Sequence, residues 1–142
     1  MREILFRGKR IEDGEWVYGS LLIDYVTGKF FIHAIGNSVN DSDKVGEDGI
    51  LNFVAFEVIP ETVGQYTGLK DRNGKKIFEG DVHEYGGLHF TVKFGYYTDD
   101  DTHVEMYGWY LDSNSLEEQG SLGVDSEKYV NIIGNIHEEV QE

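Results

Sequence analysis

Cysteine is absent from this 142-residue chain, and disulfides, thiolate metal ligands and thiol nucleophiles are excluded with it. Proline occurs once, at position 60. Cations are scarce: twelve Lys and Arg stand against twenty-seven Asp and Glu, a formal charge of −15. Such an excess repels a phosphate backbone and anionic lipid alike, so neither direct nucleic-acid binding nor membrane association is expected. Long apolar runs are missing as well. The opening residues, Met1-Arg-Glu-Ile-Leu-Phe-Arg-Gly, turn charged after three apolar positions, too few for a signal-sequence core or a membrane span. A cytoplasmic location is the expectation. No window sustains an apolar i, i+3, i+4, i+7 stripe over three turns, which confines helix to short pieces, Ser113 to Gln119 being the best candidate.

What is present is the composition of a folded β protein: 39% apolar residues, 13% aromatic and eighteen glycines, in β-branched and aromatic runs between glycine-rich breaks. Glu3 to Arg7 reads as a first strand, and Trp16 to Tyr25, broken at Gly19, as a second and third. Val26-Thr-Gly-Lys29 turns the chain into a partner strand from Lys29 to His33. Residues 36–49 are polar and read as an exposed loop. Asn52 to Ile59 is strand-like and Pro60, lacking the N–H a central strand needs, closes it. Asn73-Gly74 suits the positive φ values of a type I′ turn. Leu88, Phe90, Val92 and Phe94 alternate with His89, Thr91 and Lys93, one apolar face and one polar. Met106 to Leu111 and Tyr129 to Ile136 follow, the latter with a bulge or bend expected at Gly134.

Catalytic and metal motifs fail on inspection. Between Gly68 and Lys76 the spacing is wrong for a phosphate loop, and lysine stands where a hydroxyl must hold magnesium. Asp41, Asp43 and Gly46 fit the first, third and sixth positions of a calcium loop, yet Val45 and Asn52 fail the fifth and twelfth. His137-Glu138 lacks the second histidine of a zinc protease helix. No G-x-S-x-G elbow occurs. His83 and His89 flank Gly86-Gly87 and, facing each other across a hairpin, would offer two metal ligands; two surface histidines on neighbouring strands are the plainer reading. The run Asp99-Asp-Asp-Thr-His103 reads as the solvated end of a hairpin rather than a site, because adjacent residues rarely converge on one ion. Trp16, Tyr18, Tyr96, Tyr97, Trp109 and Tyr110 would make a stacking platform, but β proteins of this size place such rings in a core or an interface. No cofactor and no catalytic residue are expected.

Charge is patterned along the chain. Eight of the twelve cations fall in two short stretches, Arg2, Arg7, Lys9 and Arg10, then Lys70, Arg72, Lys75 and Lys76, whereas from Asp99 onward only Lys128 opposes twelve acids. Basic spots on an acidic body favour pairing between copies.

Three stretches resemble the YopX family: Arg2-Glu-Ile-Leu-Phe-Arg-Gly-Lys-Arg-Ile with Gly14-Glu-Trp-Val-Tyr-Gly; Pro60 through Val82; and Asn131-Ile-Ile-Gly-Asn-Ile-His-Glu. Phe78 stands where the family pattern leads one to expect tyrosine. The resemblance implies a phage or prophage origin and supplies no catalytic residue to carry over. Within the central stretch, Ile77-Phe-Glu-Gly-Asp-Val82 is similar to the opening strand of small SH3-like barrels. The expected fold is therefore mainly β, with an N-terminal β subdomain or layer over residues 1–60 and an SH3-like barrel over 61–142, as one cooperative unit.

The resulting expectation is a non-enzymatic phage or prophage accessory protein that forms homo-oligomers and acts through contacts with itself or with a host or phage protein. Two rivals stand beside it. One is an acidic DNA mimic that occupies a host nucleic-acid-binding protein through carboxylates between Asp99 and Glu142. The other is a metal-dependent binder or enzyme using His83 and His89.

Overall fold

The computed structural model describes residues 2–35, 53–114 and 118–138. The expected 36–49 loop and the calcium-like 41–52 stretch lie outside the described residues. Backbone contacts divide the chain into two units, Met1–Gln65 and Tyr66–Glu142, and among the described residues every strand pairing is antiparallel.

In the first unit, β1 (Phe6–Lys9), β2 (Trp16–Asp24), β3 (Lys29–Ile35) and β4 (Phe53–Val58) lie in the order β4-β3-β2-β1. The first residues of β5 (Gly64–Lys70) pair with β1, Arg7 opposite Gly64 and Phe6 opposite Gln65. The β2–β3 turn is set by Asp24, whose carboxylate accepts the Val26 N–H at 2.9 Å and the Thr27 N–H at 3.3 Å, with Gly28 at φ +74°. Gly19 does not break the strand as its composition suggests. A Cβ there would sit 2.3 Å from the His33 carbonyl oxygen, so glycine lets β2 and β3 approach while β2 runs on without interruption. Val17, Ile32 and Val58 form the buried centre, flanked by Phe6, Leu21, Phe30 and Phe56. Pro60 opens a single 3-10 turn, Pro60–Thr62. The Thr62 hydroxyl donates to the Ile59 carbonyl at 2.6 Å and accepts the Lys9 N–H at 2.9 Å.

In the second unit, β7 (Asp81–Tyr85), β8 (Leu88–Thr98), β9 (Glu105–Ser113), β10 (Gln119–Ser121) and β11 (Ile132–Asn135) form a five-stranded sheet, β10-β9-β8-β7-β11. The remainder of β5 pairs with β6 (Lys76–Phe78). The expected closed SH3-like barrel does not form: β10 and β11 are the two edges of this sheet, and among the described residues no pairing joins them. The sheet is antiparallel and open. Of the helix expected from Ser113 to Gln119, the end residues belong to β9 and β10, and residues 115–117 lie outside the described ones. A one-turn helix, α1 (Ser126–Tyr129), sits further on, closed by the Val130 N–H on the Ser126 carbonyl.

The alternation in β8 places Phe90 and Val92 on the core side, where Val92 packs with Ile77, Leu111, Leu122, Val130 and Ile132. Burying five or six such side chains, at about 1.5–3 kcal/mol each, is the main force holding this unit together. The β7–β8 connection is the two-residue Gly86-Gly87 turn, φ +59° and +81°, with Tyr85 opposite Leu88. This is the positive-φ pair that a two-residue hairpin turn demands. The bulge expected in the last strand is present, as a register shift between Ile132 and Gly134 against β7.

The Asn73-Gly74 turn differs from the expected type I′. Only Gly74, at φ +79°, enters the left-handed region. The Gly74 N–H donates to the Asp71 carbonyl at 3.0 Å and the Asp71 N–H to the Lys75 carbonyl at 2.8 Å, the pattern of a type I turn followed by a glycine bulge. Asp71 decides this choice. Its carboxylate, 1% exposed, accepts the Asn73 and Lys75 N–H groups at 2.9 Å each and the Ile132 N–H at 3.2 Å.

Candidate functional site

The two basic stretches have different fates. Arg7 is buried, its guanidinium 4.8 Å over the Trp16 ring, and the Lys9 ammonium is 5.6 Å from the same ring. Arg10 pairs with Glu12 at 2.9 Å and Asp13 at 3.4 Å, and lies 4.3 Å over Phe56. These cations are largely engaged in holding their own unit together, whereas Arg2 is exposed. In the second stretch Lys76 lies 5.2 Å over Tyr66. Lys70, Arg72 and Lys75 are exposed and project from the Asp71-braced turn, so the second unit gathers three outward cations on a rigid loop.

On the same unit, β8 and β9 outrun the core. Their register pairs Phe94 with Trp109 and Tyr96 with Tyr107. These rings continue the core-facing rows that begin with Phe90–Val92 and with Leu111. Trp109 still packs on the core, but Phe94, Tyr107 and Tyr96 are 47%, 62% and 72% exposed. The ladder is ordered: Phe94 meets Trp109 edge-on at 4.9 Å and Tyr107 at 5.1 Å, and Tyr96 lies 4.7 Å from Tyr107. On the opposite face Tyr97 is buried and stacks on Tyr110 at 4.7 Å. The six aromatics singled out in the sequence thus divide between packing and display, with no single platform. Beyond the ladder the hairpin ends in Asp99-Asp-Asp-Thr-His103. Asp99 accepts the Asp101 N–H at 3.1 Å, and His103 takes φ +59°.

The two histidines expected to face each other do not. In the β7–β8 register His83 lies opposite Phe90 and His89 opposite Glu84, so the imidazoles point from opposite faces of the hairpin. The physical reason is parity: a two-residue turn places Tyr85 against Leu88, and His83 and His89 are then on unlike phases of the pleat. Among the described residues no three His, Asp or Glu side chains converge as metal ligands.

His83 instead builds the wall of a cavity of about 320 Å³. It is 2% exposed, and its Nδ1 accepts the N–H of Asn131, the residue just before β11, at 2.9 Å. Phe90, Tyr129 and Tyr85 surround it with ring centroids 5.8, 6.1 and 6.4 Å away. Leu111 lines the floor, and Gly120 and Ser121 come from β10. Burial, foremost, holds the imidazole below its ordinary pKa of 6.5, with the Asn131 contact and the Glu84 charge opposing it. Burial likewise raises the Tyr129 phenol above its ordinary value. Nothing in Asp-Val-His-Glu-Tyr signals that the histidine is buried, because its neighbours Asp81 and Glu84 are charged and Tyr85 is exposed. Only the apolar partner Phe90, two positions from Val92 on the core face, carries a hint.

Residues 5–141 match the sequence model of the YopX protein family. The chain belongs to the YopX family. The match takes in all but a few terminal residues of the three stretches that carry the resemblance, and with them both the aromatic hairpin and the braced turn of this YopX chain. Comparison with curated proteins gives no match. No helix among the described residues is long and apolar enough to cross a membrane.

Proposed function

We propose that this YopX protein is a non-enzymatic accessory protein of a phage or prophage that resides in the cytoplasm, assembles with copies of itself and acts through protein contacts. The observation that carries this reading is the β8–β9 hairpin, which displays Phe94, Tyr96 and Tyr107 on a face continuous with the core row. Aromatic rings on a rigid strand pair are the side chains that dominate protein interfaces, because they bury large area at little cost in side-chain entropy. The hairpin ends in three aspartates, and the exposed Lys70, Arg72 and Lys75 supply the opposite sign on the same unit. A second copy is therefore the favoured occupant: its braced turn meets the acidic end of the hairpin while the rings cover apolar surface. Such a turn-to-hairpin contact is head-to-tail, so each copy retains one free half and rings or filaments follow.

The test is mass in solution by light scattering for the wild type and for the triple variant K70E/R72E/K75E. A multimer that loosens in salt and is lost in the charge-reversed variant supports the reading. A multimer equally stable in both proteins would assign assembly to another surface.

A further inference from the structure

We propose that the cavity beside His83 is a binding site for a small, neutral, planar aromatic molecule that carries one hydrogen-bond acceptor. The inference is independent of the assembly reading. The Asn131 N–H points at Nδ1 from 2.9 Å, closer than the Asn131 carbonyl at 3.3 Å, so Nδ1 is an acceptor and the proton of the neutral ring resides on Nε2. Nε2–H is then a donor that no protein acceptor among the described residues takes, on a ring that lines the cavity and is otherwise buried. A donor that faces a cavity and has no protein partner is served there by water, and a guest that brings its own acceptor takes that water's place.

The other walls fix the class of molecule. Phe90, Tyr85 and Tyr129 offer ring faces and edges, which suit a flat aromatic guest. None of the lining residues is Lys, Arg, Asp or Glu. A charged guest would lose its hydration without a counter-ion, and an anion would in addition face the field of a chain with formal charge −15. Ser121 is not a competing anchor, because its hydroxyl is within 2.6 Å of the Tyr97 hydroxyl. A volume of about 320 Å³ accommodates a molecule of one or two fused rings.

Two probes of nearly the same shape decide the matter. Quinoline is neutral at pH 7.5 and has a ring-nitrogen acceptor; naphthalene has none. In titrations of the full chain with ¹⁵N-labelled histidine, quinoline is expected to bind about three- to ten-fold more tightly than naphthalene, the value of one hydrogen bond. It is also expected to move the His83 Nε2–H proton downfield, as a new hydrogen bond does, whereas naphthalene shifts it only by its ring current. Gly120→Leu supplies a second arm. A Cβ at Gly120 meets nothing within 4 Å, so the longer side chain fills the cavity while the fold, followed by circular dichroism, is kept. Binding of both probes should then be lost. Equal affinity for the two probes with no downfield His83 N–H shift from quinoline, no binding of quinoline up to its solubility limit, or undiminished binding in a folded G120L each overturns the proposal.

Discussion

Replacing Asp71 tests the link between a single buried carboxylate and the loop that presents the cations. In D71A three backbone donors lose their acceptor: Asn73 and Lys75 in the turn, and Ile132 in the core-facing strand. The two turn N–H groups can recruit water, and their loss is worth about 0.5–1 kcal/mol each. Ile132 is 7% exposed, so its N–H is left unsatisfied at a cost of about 1–3 kcal/mol. Relief from burying the carboxylate offsets part of this. The net expectation is a destabilisation of about 3 kcal/mol, or about 6–12 °C in Tm for a chain of this length. D71N should fall between. Its amide oxygen retains the two turn contacts, but its NH2 opposes the Ile132 N–H, for about 2 kcal/mol. Urea unfolding followed by tryptophan fluorescence reads both values. A D71A midpoint within about 0.5 kcal/mol of wild type would refute the reasoning, because a surface substitution with no structural role costs no more than that.

Gly19→Ala places a methyl group 2.3 Å from the His33 carbonyl oxygen; backbone must move, and a loss of about 2–3 kcal/mol in urea unfolding is expected. The His83 imidazole, held below its ordinary 6.5 by burial, takes up its proton more readily when unfolded. Stability from this group is therefore complete above pH 6.5 and declines as the pH falls from there toward the folded value. His83→Gln, which keeps an acceptor for the Asn131 N–H, should flatten that decline, and an unchanged pH slope would contradict the assignment. The double variant Y96S/Y107S removes two rings that are 72% and 62% exposed. It should shift Tm by no more than a few degrees while lowering the mass of the assembly at fixed concentration.

Much of the fold is legible in local pattern. The alternation from Leu88 to Phe94 gives the face of β8, Gly86-Gly87 gives its turn, and Gly134 gives the bulge, because each is decided by neighbours within a few residues. Features set by distant chain segments are not legible. Gly19 reads as a break, yet it answers to the approach of His33 across the sheet. Asn73-Gly74 reads as type I′, yet Asp71 captures the turn with three N–H groups, one of them sixty-one residues away. Barrel closure depends on whether β10 and β11 meet, and no periodicity encodes that. The same holds for the candidate sites. The charge runs are visible in sequence, but burial of Arg7 against Trp16 and the ion pairs of Arg10 separate working cations from displayed ones only in three dimensions. In sequence His83 offers a metal ligand, and strand parity directs it to an aromatic cavity instead.

The central claim, that this YopX protein assembles through an acidic aromatic hairpin and a basic turn, is tested most directly by its mass under light scattering at low and high salt. The account predicts a multimer at low salt whose mass falls as salt screens the Lys70, Arg72 and Lys75 contacts. A monomer at both salts would contradict it.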